Sequence, residues 1–250
     1  MASWQWFHRL GSPRWFYDKT GAWLPWLTAI ALVLLVLGTV WGLAFSPEDF
    51  KQGNSYRIIY IHVPAAFLAL AGYYVMALCG AVGLIWRMKL AFMVMKSAAP
   101  IGAALTFVSL VTGAIWGKPT WGTWWAWDAR ITSMLILFFL YLGIMALQSA
   151  FMSREAADKA SAVLALVGTV NIPIIYKSVD WWYTLHQPAT LKLTSAPTIH
   201  ASMLYPLLTM ILAFYVFYAV VLLRYTRYEI LRRESRTGWV RELIAQEERH

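Results

Sequence analysis

Six stretches of this chain carry no Asp, Glu, Lys or Arg: residues 20–47, 58–86, 97–117, 131–153, 160–176 and 193–223. Each is close to, or longer than, the roughly 17–25 residues a helix needs to cross the hydrocarbon core of a bilayer. Composition points the same way. Hydrophobic residues make up 60% of the chain and charged residues 13%, whereas a soluble domain carries about 25% charge. The expected fold is therefore an all-α polytopic membrane protein with six transmembrane helices, at about 22–45, 57–86, 97–115, 131–151, 160–176 and 198–223. Barrel strands do not fit, because they run about 10 residues and alternate in polarity. Runs such as Ala29–Val36 and Met134–Leu142 are continuously apolar. The first stretch is too long for a signal-peptide core and no small-residue cleavage site follows it.

Six spans put both termini on one side. The N-terminus, the 87–96 and 154–159 loops and the tail hold 15 of the 21 Lys and Arg residues. The three opposite loops hold 6. The positive-inside rule then predicts a multi-pass chain with both termini cytoplasmic. The net charge of +9 reads as topology, with no nucleic-acid patch to explain. Residues 1–19, basic and aromatic (Trp4, Trp6, Phe7, Trp15), are expected to lie on the inner surface. The domain reading is a transmembrane unit at 1–223 and a charged cytoplasmic tail at 224–250, helical and continuous with the last span. The single cysteine, Cys79, reads as a small buried hydrophobe. It excludes a disulfide framework, a Cys-x-x-Cys pair and a Cys-x-x-Cys-His haem-attachment site.

The segment 116–130, between the third and fourth spans, holds Trp116, Trp121, Trp124, Trp125 and Trp127. An aromatic belt contributes one or two Trp per helix end; five within twelve residues point to a surface built of indoles, suited to a flat, largely apolar ligand. If 121–128 is helical, Trp121, Trp124, Trp125 and Asp128 share one face. Two histidines fall on the same side: His62 near the start of the second span and His186 in the loop between the fifth and sixth. Neutral imidazole is a good iron ligand, and two rings approaching from opposite faces would hold a metalloporphyrin. His200 is a third candidate, read as structural; His8 and His250 fall on the wrong side. The cations Arg57, Lys118, Arg130, Lys177 and Lys192 line the same side. Arg57 and Arg130 are either carboxylate clamps or helix-end residues snorkelling to the interface, and Asp128 with Arg130 is a possible loop-shaping pair. Nucleotide, hydrolase and metalloprotease motifs are missing.

The stretch Trp121-Gly122-Thr123-Trp124-Trp125-Ala126-Trp127-Asp128-Ala129-Arg130 resembles the WWD signature of haem-handling membrane proteins. With Tyr60-Ile61-His62-Val63-Pro64, the His186 loop, six spans and the chain length, it is similar to the CcmC family of the system I cytochrome c maturation machinery. That resemblance implies binding of haem b, non-covalently and as cargo, at the periplasmic face. His62 and His186 would be the axial iron ligands. Trp116, Trp121, Trp124, Trp125, Trp127 and Asp128 would hold the porphyrin edge. It further implies delivery to the haem chaperone CcmE, which becomes covalently loaded, with help from the small membrane protein CcmD and the ABC components CcmA and CcmB. No independent enzymatic reaction is implied. Two other readings follow from the residues without the resemblance. One is a b-type cytochrome subunit of a membrane redox enzyme; such proteins place both ligands on spanning helices. The other is a permease, which leads one to expect ionisable residues at mid-membrane depth.

Overall fold

The computed structural model describes residues 11–182, 184–186 and 196–247; Trp4, Trp6, Phe7, His8, Lys192 and His250 lie outside them. Six helices are long and apolar enough to span a membrane. Helix α1 covers Pro13–Val40, with one wide turn from Trp41 to Phe45, and a short tight turn at Asn54–Ile58 leads into α2 at Ile59–Trp86. Then follow α3 at Lys89–Trp121, α4 at Ala129–Ala150, α5 at Arg154–Gly168 and α6 at Asn171–Trp181. Helix α7 covers Ala201–Arg233 and a short α8 covers Gly238–Glu247. Local chemistry sets several starts. Ser12 accepts from Trp15 N with Pro13 at the first helical position, and Ser153 caps α5, satisfying N–H groups that a helix start leaves open.

The helices overrun the charge-free stretches. Residues 13–19, expected as a surface segment, are the first two turns of α1. Helix α3 starts at Lys89 and includes Lys96 and Lys118. The tail is not one continuation of the last span: α7 ends at Arg233, and α8 restarts after a turn. The fifth span, expected at 160–176, runs from Arg154 to Trp181 as two pieces, α5 and α6. Pro173 causes the break, since it has no N–H to give the Thr169 carbonyl. Ile172 N donates to that carbonyl instead at 3.1 Å, and Thr169 and Val170 donate three residues back. Asn171 Nδ2 reaches across to Ser133 O at 2.9 Å, which ties the break to α4.

Helices α2 and α3 pack along each other, α1 packs along α7, and α4 lies against α3 and α5. The central core combines large side chains (Tyr73, Met76, Met95, Leu137, Tyr141, Ile144) with alanines at 69, 77, 98, 99, 103, 162 and 165. Small residues let helix backbones approach where lipid provides no hydrophobic drive between them. Tyr141 spans the core and donates its hydroxyl to Ala69 O at 2.8 Å, so a buried polar group is satisfied. Cys79 packs on the edge of this core, as a small hydrophobe would.

At one end of the bundle lie the start of α1, the short α8 and the basic loops. Arg227 sits over the Tyr17 ring, 3.6 Å from its centroid, and joins the start of α1 to the end of α7. Beside it, Arg233 donates to both oxygens of Asp158, one at 2.9 Å, and to Glu229 at 2.6 Å. Lys96 and Arg232 also pair with Glu229, at 3.3 and 2.9 Å. This network links α3, α5 and α7. The tryptophan-rich segment lies at the other end.

Candidate functional site

At the tryptophan end, α2, α3, α4, α6, α7 and the 184–186 segment enclose a cavity of about 210 Å³. Trp116, Trp121, Trp124 and Trp125 line it, with Arg130, His62 and His186. Below them the wall is aliphatic: Val63, Leu70, Leu110, Ile131, Met134, Ile175 and Leu207. The cavity is therefore an apolar slot with two imidazoles and one guanidinium.

The indoles are not on one helical face, as the helix reading of 121–128 expected. Helix α3 carries Trp116 and Trp121 and stops at Gly122, which takes a left-handed φ of 78° that a residue with a Cβ rarely adopts. Residues 122–128 run irregularly to Asp128, where α4 begins. The result is a wall made from a helix end and a loop. Trp125 is in the wall with its Nε1 buried and without a hydrogen-bond partner among the described residues. Trp127 is 75% exposed, does not line the cavity, and packs edge-on against Trp125.

Each histidine is held differently. His62 projects from the second turn of α2 and is buried. One stripe of α3, spaced at three and four residues, receives it: Thr112, Gly113 and Trp116. Its Nδ1 lies 3.0 Å from Thr112 Oγ1, and Trp116 meets it edge-on at 5.7 Å between ring centroids. A Cβ on Gly113 would lie 3.1 Å from His62 Cε1, so glycine gives the ring its space. Thr112 and Gly113 do not stand out in the sequence. The signal that could have found them is their spacing, as Ser109, Thr112, Gly113 and Trp116 form one helical stripe.

His186 comes from the segment after α6. Its ring centroid is 6.2 Å from that of His62, with 45° between the planes, and Trp121 stands perpendicular to it at 5.2 Å. A chain of hydrogen bonds positions it. Asp128 caps α4 by accepting from Ile131 N at 2.8 Å. Its other oxygen accepts from the Thr184 hydroxyl, and Thr184 Oγ1 accepts from His186 N at 3.1 Å. Asp128 thus lies outside the cavity lining and holds the histidine segment to the start of α4. Burial, then the positive charge of Arg130 and the neighbouring His62, push the His186 pKa down to about 3. The ring is neutral, the form that binds metal.

The two arginines separate. Arg130 lines the cavity and makes no hydrogen bond or ion pair among the described residues, Asp128 included. Arg57 is not in the lining. Its Nη1 and Nη2 donate to Leu43 O and Ser46 O, each at 2.8 Å, so it fastens the end of α1 to the start of α2. Lys118 donates to Gly122 O and Lys177 pairs with Asp180, both exposed. His200 caps α7 through Nδ1, which accepts from Ser202 N at 3.3 Å.

The family model CcmC, described as "Heme exporter protein C", matches residues 6–241. A Haemophilus influenzae protein called Heme exporter protein C is 48% identical, covering 96% of this chain and 98% of that protein. The Escherichia coli K12 protein of the same name is also 48% identical, covering 96% and 97%. A Marchantia polymorpha protein described as a putative cytochrome c biosynthesis ccmC-like mitochondrial protein is 44% identical, covering 82% and 84%.

Proposed function

This chain belongs to the CcmC, or Heme exporter protein C, family, and from that premise we propose that its tryptophan-walled cavity is where it holds haem for hand-over. It is a multi-pass membrane protein with a role in haem handling for cytochrome c maturation. The finer reading is that haem b binds non-covalently, as cargo, at the periplasmic face of the inner membrane. It is then delivered to the chaperone CcmE, in concert with CcmD, CcmA and CcmB. The 15-to-6 distribution of Lys and Arg supports placing both termini, and the 224–250 tail, in the cytoplasm. The same distribution favours the opposite, periplasmic side for the cavity within the 1–223 unit.

One observation carries this reading: His62 and His186, from a helix and a loop 124 positions apart in sequence, meet across the cavity with ring centroids 6.2 Å apart. With metal–nitrogen bonds of about 2.0 Å, two axial imidazoles on one metal place their centroids about 6.3 Å apart. Trp121, Trp124 and Trp125 supply the apolar rim, and Arg130, with no hydrogen bond or ion pair among the described residues, is the cation for a propionate. The cavity, about 210 Å³ and partly open, is smaller than the roughly 300–1,000 Å³ of ordinary ligand sites, so haem would extend beyond it or widen it. Asp128 and Thr184 are the fastening that governs how easily the His186 side moves.

Release follows from the asymmetry. A chaperone ligand replaces His186 on the metal while the packed His62 keeps hold, so the iron never has both axial positions open. The test is the spectrum of the purified, haem-loaded protein. His62→Ala and His186→Ala should each lose the six-coordinate signature. His186→Gly with added imidazole should regain it, and His62→Gly should regain it poorly, because that position is packed against Thr112, Gly113 and Trp116. An unchanged spectrum in both alanine variants refutes the ligand assignment.

A further inference from the structure

Resting on the reading of His62 as a metal ligand, we propose that Thr112 is a positioning residue that fixes the His62 tautomer and aims Nε2 at the iron. The assignment follows from where one hydroxyl hydrogen goes. Thr112 Oγ1 lies 2.6 Å from Val108 O, one turn back on α3. A carbonyl oxygen can only accept, so the threonine hydrogen is committed to it, as is common for threonine within an apolar helix. Thr112 Oγ1 also lies 3.0 Å from His62 Nδ1, and the Ser109 carbonyl, 3.2 Å from the same hydroxyl, is a second acceptor beside the ring. With its hydrogen committed, the hydroxyl can only accept from Nδ1. Nδ1 must then carry the imidazole hydrogen. A neutral imidazole has one N–H, so Nε2 keeps its lone pair and is the nitrogen free to bind metal.

The surroundings hold this arrangement. Gly113 leaves the ring no more space than it needs, and Trp116 closes the other side edge-on. His186 has no equivalent. Its backbone N–H is bonded to Thr184, but no side-chain hydrogen bond fixes its ring among the described residues. The chain therefore orients one ligand fully and leaves the other held by ring contacts, the division a donor of haem needs. An Nδ1–H that donates also makes Nε2 a stronger ligand, and removing such a partner from a metal-binding histidine typically costs about 10–100-fold in affinity.

The experiment uses the full-length, haem-loaded protein in detergent and reads two quantities, the haem dissociation rate and the midpoint potential. Thr112→Val keeps the shape and removes the hydroxyl acceptor, leaving only the Ser109 carbonyl beside the ring. We expect about tenfold faster haem loss and a higher potential, as the weaker imidazole donor favours ferric iron less. Thr112→Ser restores the acceptor and should behave as wild type. Thr112→Ala, smaller but equally without an acceptor, should shift the potential in the same direction as valine. In a His62→Gly background, Thr112→Val should change nothing further. Wild-type potential and dissociation in both the valine and alanine variants overturn the inference. So does equal loss in the serine and valine variants, or an undiminished effect without His62, since either marks a packing role. A His62→Gly protein that keeps the six-coordinate spectrum overturns the ligand assignment itself, and this inference with it. If His62→Gly loses that spectrum and Thr112→Val is silent, the positioning role alone fails.

Discussion

The two ends of this molecule treat polar groups in opposite ways. At the basic end the buried carboxylates are closed off: Asp158 by Arg233 and Gln148, Glu229 by Lys96, Arg232 and Arg233. At the tryptophan end, polar groups are left open. Among the described residues, Arg130 faces the cavity with no bonded partner and the buried Trp125 Nε1 has none either. Buried polar groups in folded proteins are nearly always satisfied, so those left over need a physical reason. Tyr218 OH and Thr226 Oγ1 on α7 and Arg57 Nε are also left over among the described residues, but only Arg130 and Trp125 Nε1 border the cavity with the two histidines. One end is built to hold the helices together; the other keeps binding capacity in reserve for something that is not part of the chain.

The largest effect should come from breaking the closed end. Arg233→Ala leaves Asp158 and Glu229 without their shared cation in a poorly solvated place. Removing one partner of such a network costs about 3–5 kcal/mol. Thermal unfolding in detergent should show the loss, while Arg241→Ala, on the exposed face of α8, should not. If the fold tolerates Arg233→Ala without a change in melting temperature, the two ends do not differ as described.

Asp128→Ala tests the fastening at the open end. It removes the α4 cap, worth about 1 kcal/mol, and frees Thr184, so the His186 segment should detach more readily. Haem loss should speed up more than the melting temperature falls. Asp128→Asn keeps a cap and should be milder on both measures. A variant that melts early yet holds haem like wild type would return Asp128 to a purely structural role.

A smaller effect comes from pH. His186 has its pKa lowered to about 3 in the docked state, first by burial and then by Arg130 and His62. Its ordinary value is about 6.5. The undocked ring therefore binds protons more readily, and docking is favoured by rising pH. The docked state is fully supported above about pH 6.5 and weakens as pH falls from there toward about 3. Between pH 7.5 and 5.5 the docking equilibrium should drop about tenfold. Hydrogen exchange at the 184–186 amides of the haem-free protein, corrected for intrinsic rates, should show it. The drop should vanish in His186→Ala; a drop that persists there belongs to another group.

Much of this architecture is legible in the sequence, and what is not stays hidden for identifiable reasons. Six spans can be read because a charge-free apolar run of membrane length would be too costly to expose to water. Their ends cannot, because a helix does not stop where the bilayer does: Lys89, Lys96 and Lys118 all lie within α3. The break of the fifth span is half visible, in Pro173. His62, His186 and the tryptophans stand out as a set by residue type and side, and the cavity brings most of them together. Trp127 and Asp128 share the segment but not the lining, and Gly122 ends the helix that would have put Asp128 on one face with Trp121, Trp124 and Trp125. Thr112 and Gly113 stay hidden because an apolar helix contains many such residues, and only packing shows which stripe meets His62.

Arg57 and Arg130 show the same limit most sharply. Both mark the start of a span on one side of the membrane, and the sequence offers no way to rank them. In the structure Arg57 already uses two of its donors on Leu43 O and Ser46 O, while Arg130 faces the cavity unbonded among the described residues. Lysine substitution keeps the charge at either position and removes the planar fork. Arg130→Lys should therefore quicken haem loss a few-fold, because a point charge cannot engage a carboxylate through two parallel bonds. Its melting temperature should stay near wild type, since Arg130 bonds nothing described in the fold. Arg57→Lys should do the reverse. It gives up one of two carbonyl contacts, about 0.5–1.5 kcal/mol of stability, and leaves haem retention unchanged. Equal haem loss in the two variants would mean that Arg57 turns into the cavity once ligand enters. Equal retention in both would leave the cavity's guanidinium without a ligand role.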